Sequence, residues 1–368
     1  MHPVYPPSFG LMTWPFSLTP DVVARTLWAI VQVAALAWIG VVLLRMLRRA
    51  WPEYARRGHV LLAITALLAS RYVLRDTHGG GGNLINLALV LGATDLATRG
   101  RSHVAGIVFA ISLATKPTSV LFVPLFWILG FRRTASIAVA GAGGLLGLAI
   151  LVHGRGLAPL ETWLHGSIEY SRMANLFEAP AEGFPPFSWM NQCLRCALTR
   201  YLGSVPTAFT HLDDGAPLPG WFDGLGWSIQ ATLWCRHAAT AIVLVFTFGL
   251  AWLNRRDRMA IPAVVAGCFA ASLLLSPISW KAHHVALIPA LFLLSIPVLA
   301  RRTWAIALAA LYLFACVAGE ELVGKSFKHV QQHLYLVTLG TLVLWTLCLG
   351  RAFRPPGRIG DGLAETVR

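Results

Sequence analysis

Eleven long runs of apolar residues divide this sequence, separated by polar gaps. A helix needs about 20 mostly apolar residues to cross roughly 30 Å of hydrocarbon. The composition agrees, since 56% of the residues are hydrophobic and only 12% are charged, against about 25% charged in an ordinary soluble domain. The sequence therefore predicts an all-α polytopic membrane protein with about eleven transmembrane helices. The runs cover residues 22–47, 59–74, 84–98, 104–114, 120–130, 136–152, 237–253, 261–275, 285–299, 304–317 and 334–349.

Two of these runs, 104–114 and 120–130, are short for a perpendicular crossing. They flank Lys116-Pro117, a pair that breaks a helix because proline lacks the N–H donor and restricts the residue before it. Broken helices at membrane depth are tolerated where they are buried in protein or line a watery cavity. Lys116 is therefore the first candidate functional residue, although a lysine at a helix end also fits snorkelling towards the headgroups.

The basic residues indicate the orientation of the chain. There are 30 Lys and Arg against 16 Asp and Glu, a net charge of +14. A nucleic-acid-binding protein carries such charge on one folded surface, whereas here 18 of the 30, counting the final Arg368, lie in six alternate gaps. Cytoplasmic gaps carry an excess of Lys and Arg. We therefore predict an exoplasmic amino terminus, a cytoplasmic carboxyl terminus and no nucleic-acid partner.

One gap is much longer than the others. Residues 153–236, on the predicted exoplasmic side, are rich in aromatic residues, proline and glycine. Loops of this length are functional or disordered, and the aromatic content argues against disorder. We predict short interfacial helices here. They belong to a single membrane domain over residues 1–368 that ends in a cytoplasmic tail, 351–368.

Polar side chains collect on the predicted exoplasmic side. Polar groups at membrane depth are functional candidates by default, and lysine, arginine and helix ends readily hold phosphate groups. An anion-binding site is therefore expected on this side. The candidates are Asn83, Asn86, Lys116, Asn191, Gln192, Arg195, Lys281, His283 and His284.

The segment SPISWKAHH lies immediately beyond an apolar run. Its adjacent histidines, His283 and His284, point in different directions on a helix and make a poor joint metal site. We expect one of them to act as an acid, a base or a phosphate ligand and the other to pack. Trp280 and Lys281 also fit plain anchoring at the membrane interface.

The pair Cys193-x-x-Cys196 has the spacing of redox and zinc motifs. No second such pair and no matching histidine pair accompanies it in the sequence, so we predict no metal site. A disulfide on the exoplasmic side involving Cys193, Cys196 or Cys235 is left open.

Several segments, taken in order, resemble glycosyltransferase family 87. Its members are polytopic GT-C enzymes that include polyprenol-phosphate-mannose-dependent mannosyltransferases. The resemblance runs from about residue 5 to residue 299, and its most specific pieces are NQCLR, SPISW followed by histidine, and Lys116-Pro117 between two short helices. The resembling segments are VYPPSFGLMTWPFSLTP, GGGGNLINLALVL, SLATKPTSVLFVPLFWILGFRR, NQCLRCALTRYLG and LLSPISWKAHHVALIPAL.

The resemblance implies a GT-C-like fold in a bacterial plasma membrane. It also implies transfer of a hexose, with mannose the expected sugar, from a polyprenyl-phosphate donor to a glycolipid or glycan acceptor on the exoplasmic face. Membrane lipids are the other partners, and no cofactor is implied because the donor supplies the reactive bond. The residues implied to hold the donor and its departing phosphate are Lys116, Arg195, Lys281, His283 and His284. The residues implied to line the substrate pocket are Asn83, Asn86, Asn191, Gln192 and Trp280.

Family members usually carry an aspartate, described as the general base, on a loop between a first transmembrane helix and the Tyr-Pro-Pro stretch. In this sequence Tyr5-Pro6-Pro7 comes at the start, so we expect that helix and that aspartate to be absent from it. The catalytic base is therefore unassigned, and His283 is the one candidate.

Two other hypotheses remain. A flippase for lipid-linked sugars, or another secondary transporter, typically shows repeated halves with paired broken helices, and the sequence shows no such repeat. A catalytically impaired, scaffold-like homologue of the enzyme would follow from the expected absence of the aspartate.

Overall fold

The computed structural model describes residues 5–180, 185–209, 211 and 224–350, and in this part of the chain the regular structure is helical. One isolated β-bridge joins Gly203 to Trp227. The predicted tail, 351–368, lies outside the described residues. The α-helices are α1 (Pro7–Ser17), α2 (Asp21–Ala50), α3 (Gly58–His78), α4 (Asn83–Thr98), α5 (Ser102–Thr115), α6 (Phe122–Ile128), α7 (Arg132–His153), α8 (Ala158–Arg172), α9 (Leu194–Leu202), α10 (Ile229–Leu253), α11 (Ile261–Leu275), α12 (Ile288–Leu299), α13 (Thr303–Tyr312), α14 (Glu320–His333) and α15 (Leu336–Leu349).

Each of the eleven predicted apolar runs is helical in the structure. Five of the helical stretches are long and apolar enough to cross a bilayer. A further stretch, Thr303–Val317, begins with α13 and forms a bent pair with α14. The remaining apolar helices are shorter than a full crossing, so eleven crossings stay a prediction. The five long stretches are Asp21–Ala50, Pro52–His78, Arg132–His153, Ile229–Leu253 and Lys281–Leu299.

The sequence analysis did not predict α1 or α14. Proline at the first position of α1 suits a helix start because its missing N–H would have no partner there. The Ser8 hydroxyl of α1 donates to the Ala114 carbonyl at 2.6 Å and holds α1 against the end of α5. The polar helix α14 is interrupted at Gly324, where φ is +77°, and it lies at 80° to the helical stretch Thr303–Val317.

The centre of the bundle is made of α11 and α12, which are apolar on all sides and buried along almost their whole length. The long helix α2 instead leaves much of its apolar surface exposed, including Val22, Leu27 and Ile30. Exposed apolar residues on a helix of this length suit contact with lipid. The short helices α4 and α5 pack against each other, with α4 also against α2 and α5 also against α7.

A buried carboxylate ties α2 to α4 at the end of the bundle that is predicted to be cytoplasmic. Asp95 is fully buried, and its carboxylate contacts the guanidinium groups of Arg45 at 3.3 Å, Arg49 at 2.9 Å and Arg99 at 2.8 Å. Because a buried charge is tolerated when it is paired and hydrogen-bonded, these contacts explain how an aspartate is accommodated in an apolar helix.

The predicted interfacial helices of residues 153–236 correspond to α8 and α9. Aromatic side chains beside α9 form a small separate core, in which Phe187 packs at a tilt against Phe177 and edge-on against Trp189. Tyr335, from the start of α15, is fully buried in the same core. This packing connects the loop region to the helices that follow the candidate site.

Candidate functional site

A cavity of about 30 Å³ lies where the first turns of α4 meet the ends of α5 and α11. At roughly 10–15 Å³ per water molecule, it has room for two or three waters, so a sugar can enter only if the surrounding segments move apart. Polar residues from each of these regions face it, two from α4, three from the segment after α5 and two from the end of α11, together with one histidine. The lining residues are Asn83, Asn86, Leu87, Lys116, Thr118, Ser119, Phe122, Phe269, Ser272, Leu273, Ser276, His283 and Ala286.

Lys116 lies at the break between α5 and the 3₁₀ helix Pro117–Leu121. Its backbone is extended, with φ −144° and ψ +115°, as expected for a residue before proline. The side chain is only 9% exposed, and Nζ donates to Asn83 Oδ1. Lys116 therefore does not snorkel to the surface, and its charge is held at the cavity wall.

Asp76 stabilises the other side of this arrangement. It is fully buried, and its Oδ1 accepts a hydrogen bond from Asn83 Nδ2 at 2.5 Å while Oδ2 accepts from the backbone N–H of Leu84 at 2.9 Å. The carboxylate thus satisfies a free N–H at the start of α4 and orients the amide that receives Lys116. Asp76 is a positioning residue that the sequence analysis did not single out.

The glycine run before α4 makes this contact sterically feasible. A Cβ on Gly81 would lie 2.2 Å from Asp76 Oδ1, far inside van der Waals contact. Gly80 has φ +63°, in the left-handed region that favours glycine. An aspartate followed by glycines and then asparagine was the available signal for this cluster, since only glycine lets the chain fold back over the carboxylate.

Asn86 lies one turn further along α4. Its Oδ1 accepts hydrogen bonds from Ser112 at 2.7 Å and from Ser119 at 3.0 Å, and the two serine hydroxyls are 2.8 Å apart. The carbonyl end of the amide is therefore occupied. The Nδ2 donor is the end of Asn86 that is left for a ligand in the cavity.

The two adjacent histidines have different surroundings. His283 lines the cavity, and its Nδ1 accepts a hydrogen bond from the backbone N–H of Trp280 at 3.0 Å. An Nδ1 that accepts must be unprotonated, so the ring is neutral and carries its proton on Nε2. His283 is thus a hydrogen-bond donor at Nε2.

His284 is fully buried and lies outside the lining of the cavity. Its ring packs on Tyr72 with centroids 5.5 Å apart, and its Nδ1 contacts the Trp280 carbonyl at 3.0 Å. The hydroxyl of Tyr72 in turn contacts that of Tyr312 at 2.9 Å. The side chain of His284 therefore packs from the 3₁₀ helix Lys281–Leu287 onto α3 and does not face the same space as His283.

Asn191 and Gln192 lie behind the cavity and hold the Ser-Pro-Ile-Ser-Trp segment. Asn191 Oδ1 accepts from the backbone N–H of Ser279 at 2.8 Å, and its Nδ2 donates to the Pro277 carbonyl at 3.0 Å. The backbone N–H of Gln192 donates to the Ser279 carbonyl at 2.9 Å. These bonds position the turn that leads into His283, but neither side chain lines the cavity.

Arg195 lies elsewhere, between α8 and α9. It donates to the Tyr170 carbonyl at 2.9 Å and stacks over the Tyr170 ring at 5.2 Å. Burial raises the pKa of the neighbouring Cys193, but the hydrogen bond with Cys196 and the Arg195 charge outweigh it and lower this pKa to about 7. The contacts with Tyr170 therefore keep Arg195 away from the cavity. Separately, all six cysteines lie in the described part of the chain and are free thiols.

Trp280 and Lys281 also lie outside the cavity lining. Trp280 is 43% exposed and ends the extended segment before the 3₁₀ helix. The structure therefore brings together Asn83, Asn86, Lys116 and His283, and separates them from the other predicted site residues. The polar cavity residues missed by the sequence analysis, Thr118, Ser119, Ser272 and Ser276, are small hydroxyl side chains, which are too common in membrane helices to be selected from sequence.

The cavity combines one cation with neutral hydrogen-bond donors. Lys116 supplies the charge, and His283 Nε2 and Asn86 Nδ2 supply donors, whereas no carboxylate is among its described lining residues. Lysine binds phosphate as a point charge, and oriented neutral donors complete such a site. The arrangement is suited to an anionic oxygen group and to charge that develops on it.

The comparisons with known proteins identify the family of the chain. The family model of glycosyltransferase family 87 matches residues 4–277, which include Asn83, Lys116 and Asn191 but end before His283. The chain is also similar to the polyprenol-phosphate-mannose-dependent alpha-(1-2)-phosphatidylinositol pentamannoside mannosyltransferase of Mycobacterium tuberculosis (strain CDC 1551 / Oshkosh), with 29% identity over 290 residues. That match covers 77% of this chain and 56% of the relative, so the chain spans about half the length of the curated protein. The family match covers most of the chain, and the chain belongs to glycosyltransferase family 87.

Proposed function

We propose that this protein transfers mannose from a polyprenyl-phosphate donor to a glycolipid on the exoplasmic face of a bacterial plasma membrane. The observation that carries the proposal is that Lys116 and His283, 167 positions apart by their numbers, line one cavity. Family membership and the donor in the relative's name support the choice of reaction. The chain crosses the membrane eleven times, with its amino terminus outside and its carboxyl terminus inside.

In the proposed reaction, the bond between the sugar's C1 and the phosphate oxygen breaks, and a bond forms between C1 and the acceptor oxygen. The bonding electrons leave with the polyprenyl phosphate. Lys116 and the Nε2–H of His283 stabilise the negative charge that grows on this phosphate. The acceptor hydroxyl's proton passes to a general base, a role for which the described lining of the cavity offers no carboxylate.

This assignment changes the role expected for His283. Because its Nδ1 is occupied by the Trp280 N–H, His283 contributes a donor to the phosphate instead of accepting the acceptor's proton. Asp76 and Asn83 keep Lys116 directed at the cavity. The donor carries the energy of transfer in its own glycosyl-phosphate bond, so the proposal requires no cofactor or metal.

The experiment that tests the proposal uses the full chain in lipid nanodiscs with radiolabelled polyprenyl-phosphate mannose and a phosphatidylinositol mannoside. We expect label to appear in the glycolipid and to be lost in Lys116→Ala. Donor binding without transfer would favour the scaffold-like homologue. Movement of the intact donor from one leaflet of a proteoliposome membrane to the other, again without transfer of the sugar, would favour a transporter.

A further inference from the structure

A second group of cations lies at the same end of the bundle as the cavity but outside its lining. Arg71 and Arg75 belong to the last two turns of α3, Lys281 begins the 3₁₀ helix, and Lys328 belongs to α14. These four residues are called the outer cation cluster. Arg71, Arg75 and Lys328 lie within electrostatic range of Lys281, although the four residues come from three separate elements.

Lys281 is half-buried, and the 3₁₀ helix that it begins packs against α3. Three cations, Arg71, Arg75 and Lys328, lie close enough to act on Lys281 electrostatically, as does the Cys316 thiol. Within the described part of the chain, no carboxylate forms an ion pair with Lys281. Because partial burial of an unpaired charge is unfavourable, this arrangement favours a bound anion.

Two carboxylates lie near the cluster but do not neutralise it. Glu320 is taken by Lys328, whose Nζ donates at 2.6 Å. Glu321 is exposed and only reaches Arg71 Nη1 at 3.8 Å. Four cations therefore face two carboxylates, leaving a local charge of +2.

Arg71 is also incompletely satisfied. Its guanidinium packs so closely on Gly319 that a Cβ there would lie 1.8 Å from Nη1, and its Nε is buried without a hydrogen-bond partner in the described structure. A planar guanidinium held in this way presents a fork of donors that matches the oxygens of a phosphate.

The cluster lies at the level expected for lipid headgroups. Lys281 starts a helical stretch of membrane-crossing length, Lys281–Leu299, and α14 lies at 80° to the stretch Thr303–Val317. A polar helix turned in this way is suited to lie along the membrane surface. The anion is therefore most readily supplied by a lipid whose phosphate is at the interface.

The cluster and the cavity face different directions. Successive residues in a 3₁₀ helix are about 120° apart, so Lys281 and His283, which are two positions apart, project about 120° from each other around the helix axis. Lys281 is absent from the lining that contains His283 and Lys116, so a phosphate held in the cavity does not also pair with Lys281. Two phosphates would lie side by side, each with its own cations.

We infer that the outer cation cluster binds the phosphodiester of a second lipid, the glycophospholipid acceptor, next to the donor cavity. The role of this lipid as the acceptor rests on the proposed function. The binding of its phosphate by the cluster does not depend on that function. Lys281 and Arg75 contact the phosphodiester oxygens directly, and Arg71 supports them from the Gly319 side.

The test is a binding experiment on the full chain in phosphatidylcholine nanodiscs, with phosphatidylinositol as the probe and glycerophosphoinositol as its soluble headgroup. We expect phosphatidylinositol to bind, with affinity reduced about tenfold in Lys281→Gln and in Arg75→Gln and restored in Lys281→Arg. The matched control is Arg155→Gln, which removes an exposed cation outside the cluster. Unchanged melting temperatures would show that the variants are folded.

Unaltered binding of phosphatidylinositol by both Gln variants would overturn the inference. Equal affinity for glycerophosphoinositol would identify a water-soluble phosphate ester instead of a lipid and would overturn it as well. In the transfer assay, Lys281→Gln should raise the KM for the glycolipid while the KM for the donor and kcat stay constant. If the wild-type protein transferred no sugar, the proposed function would fail and the binding result would still decide this inference.

Discussion

Asn191 and Ser279 are joined by a hydrogen bond of 2.8 Å, from the Ser279 backbone N–H to Asn191 Oδ1, across 88 positions of the chain. The bond links two of the segments through which the sequence resembles its family. Its consequence is indirect, because it holds the turn that delivers His283 to the cavity. The two segments therefore act as one supporting structure behind the site.

This relationship predicts the effect of Asn191→Ala. The change leaves the Ser279 N–H and the Pro277 carbonyl without a buried partner, at about 1–3 kcal/mol for each unsatisfied group. We expect a lower melting temperature in detergent, followed by tryptophan fluorescence, together with weaker donor binding. Asn191→Asp, which keeps the accepting oxygen, should lie between. The control is Asn175→Ala, which removes a surface contact with Glu178; equal melting temperatures for the Asn191 and Asn175 variants would contradict the prediction.

Lys116→Met removes the charge of the cavity and keeps much of the side-chain length. A hydrogen bond to a charged group contributes about 1.5–3 kcal/mol, which corresponds to a loss of about 10- to 100-fold in affinity for polyprenyl-phosphate mannose. Equilibrium binding in nanodiscs measures this directly. Lys325→Met, at an exposed lysine, is the matched control and should bind as the wild type does. Retained affinity in Lys116→Met would remove this residue from the phosphate site.

The different surroundings of the two histidines predict different results for the same substitution. His284→Phe keeps a ring against Tyr72, loses one contact with the Trp280 carbonyl, and should retain transfer within a few fold. His283→Phe removes the Nε2 donor and should lower kcat/KM by at least about tenfold. A larger loss in His284→Phe than in His283→Phe would show that the two roles have been assigned the wrong way round.

Gly81→Ala and Gly82→Ala test the support from Asp76. The new Cβ at Gly81 would collide with the carboxylate, whereas at Gly82 its nearest neighbour is Trp28 at 4.0 Å. We expect the Gly81 variant to lose about 1–3 kcal/mol of stability and to bind the donor more weakly, with the Gly82 variant close to the wild type. Thermal unfolding and donor binding measure the two effects, and identical behaviour of the two variants would contradict the proposed contact.

The orientation can be tested with reporter fusions at two glycines that lie on opposite sides in the proposed topology. Gly100 lies in a short gap with Arg99 and Arg101, which the excess of cations assigns to the cytoplasm. Gly156 follows α7 and is predicted to be exoplasmic. A fluorescent protein that folds only in the cytoplasm should be bright at Gly100 and dark at Gly156, and a periplasmic phosphatase should give the opposite pattern. The reverse result would place the cavity on the cytoplasmic face.

Much of the helical framework could be predicted because apolar runs in lipid have few alternatives. The observed bounds of α11 coincide with the predicted 261–275, and α4 differs from 84–98 by one residue. In contrast, α14 is polar and was taken for a loop, since its helical pattern is not the kind that marks a crossing. The number of true crossings depends on length and tilt, which the apolar pattern alone does not determine.

The candidate site was predicted in part. Lys116 was selected because a charge beside proline in an apolar region is rare, and the structure places it in the cavity with Asn83, Asn86 and His283. Asp76 was one of many carboxylates on its side of the chain, and the glycine run that follows it was the one local signal that could have singled it out. Arg195 was selected by its charge, but its hydrogen bonds to the loop carbonyls direct it away from the cavity.

The sequence by itself determined that this chain is a helical membrane protein and that a helix breaks at Lys116-Pro117, because both follow from local composition and from proline geometry. The tertiary structure decided which polar groups share a space. Lys116 and His283 line one cavity only because the 3₁₀ helix Lys281–Leu287 packs against α4 and α11 while the 3₁₀ helix Pro117–Leu121 packs against α11. The turn of the 3₁₀ helix directs Lys281 away from this cavity. Which side chains lie together depends on the directions of, and distances between, segments far apart in the chain. The residue type at a single position does not determine these.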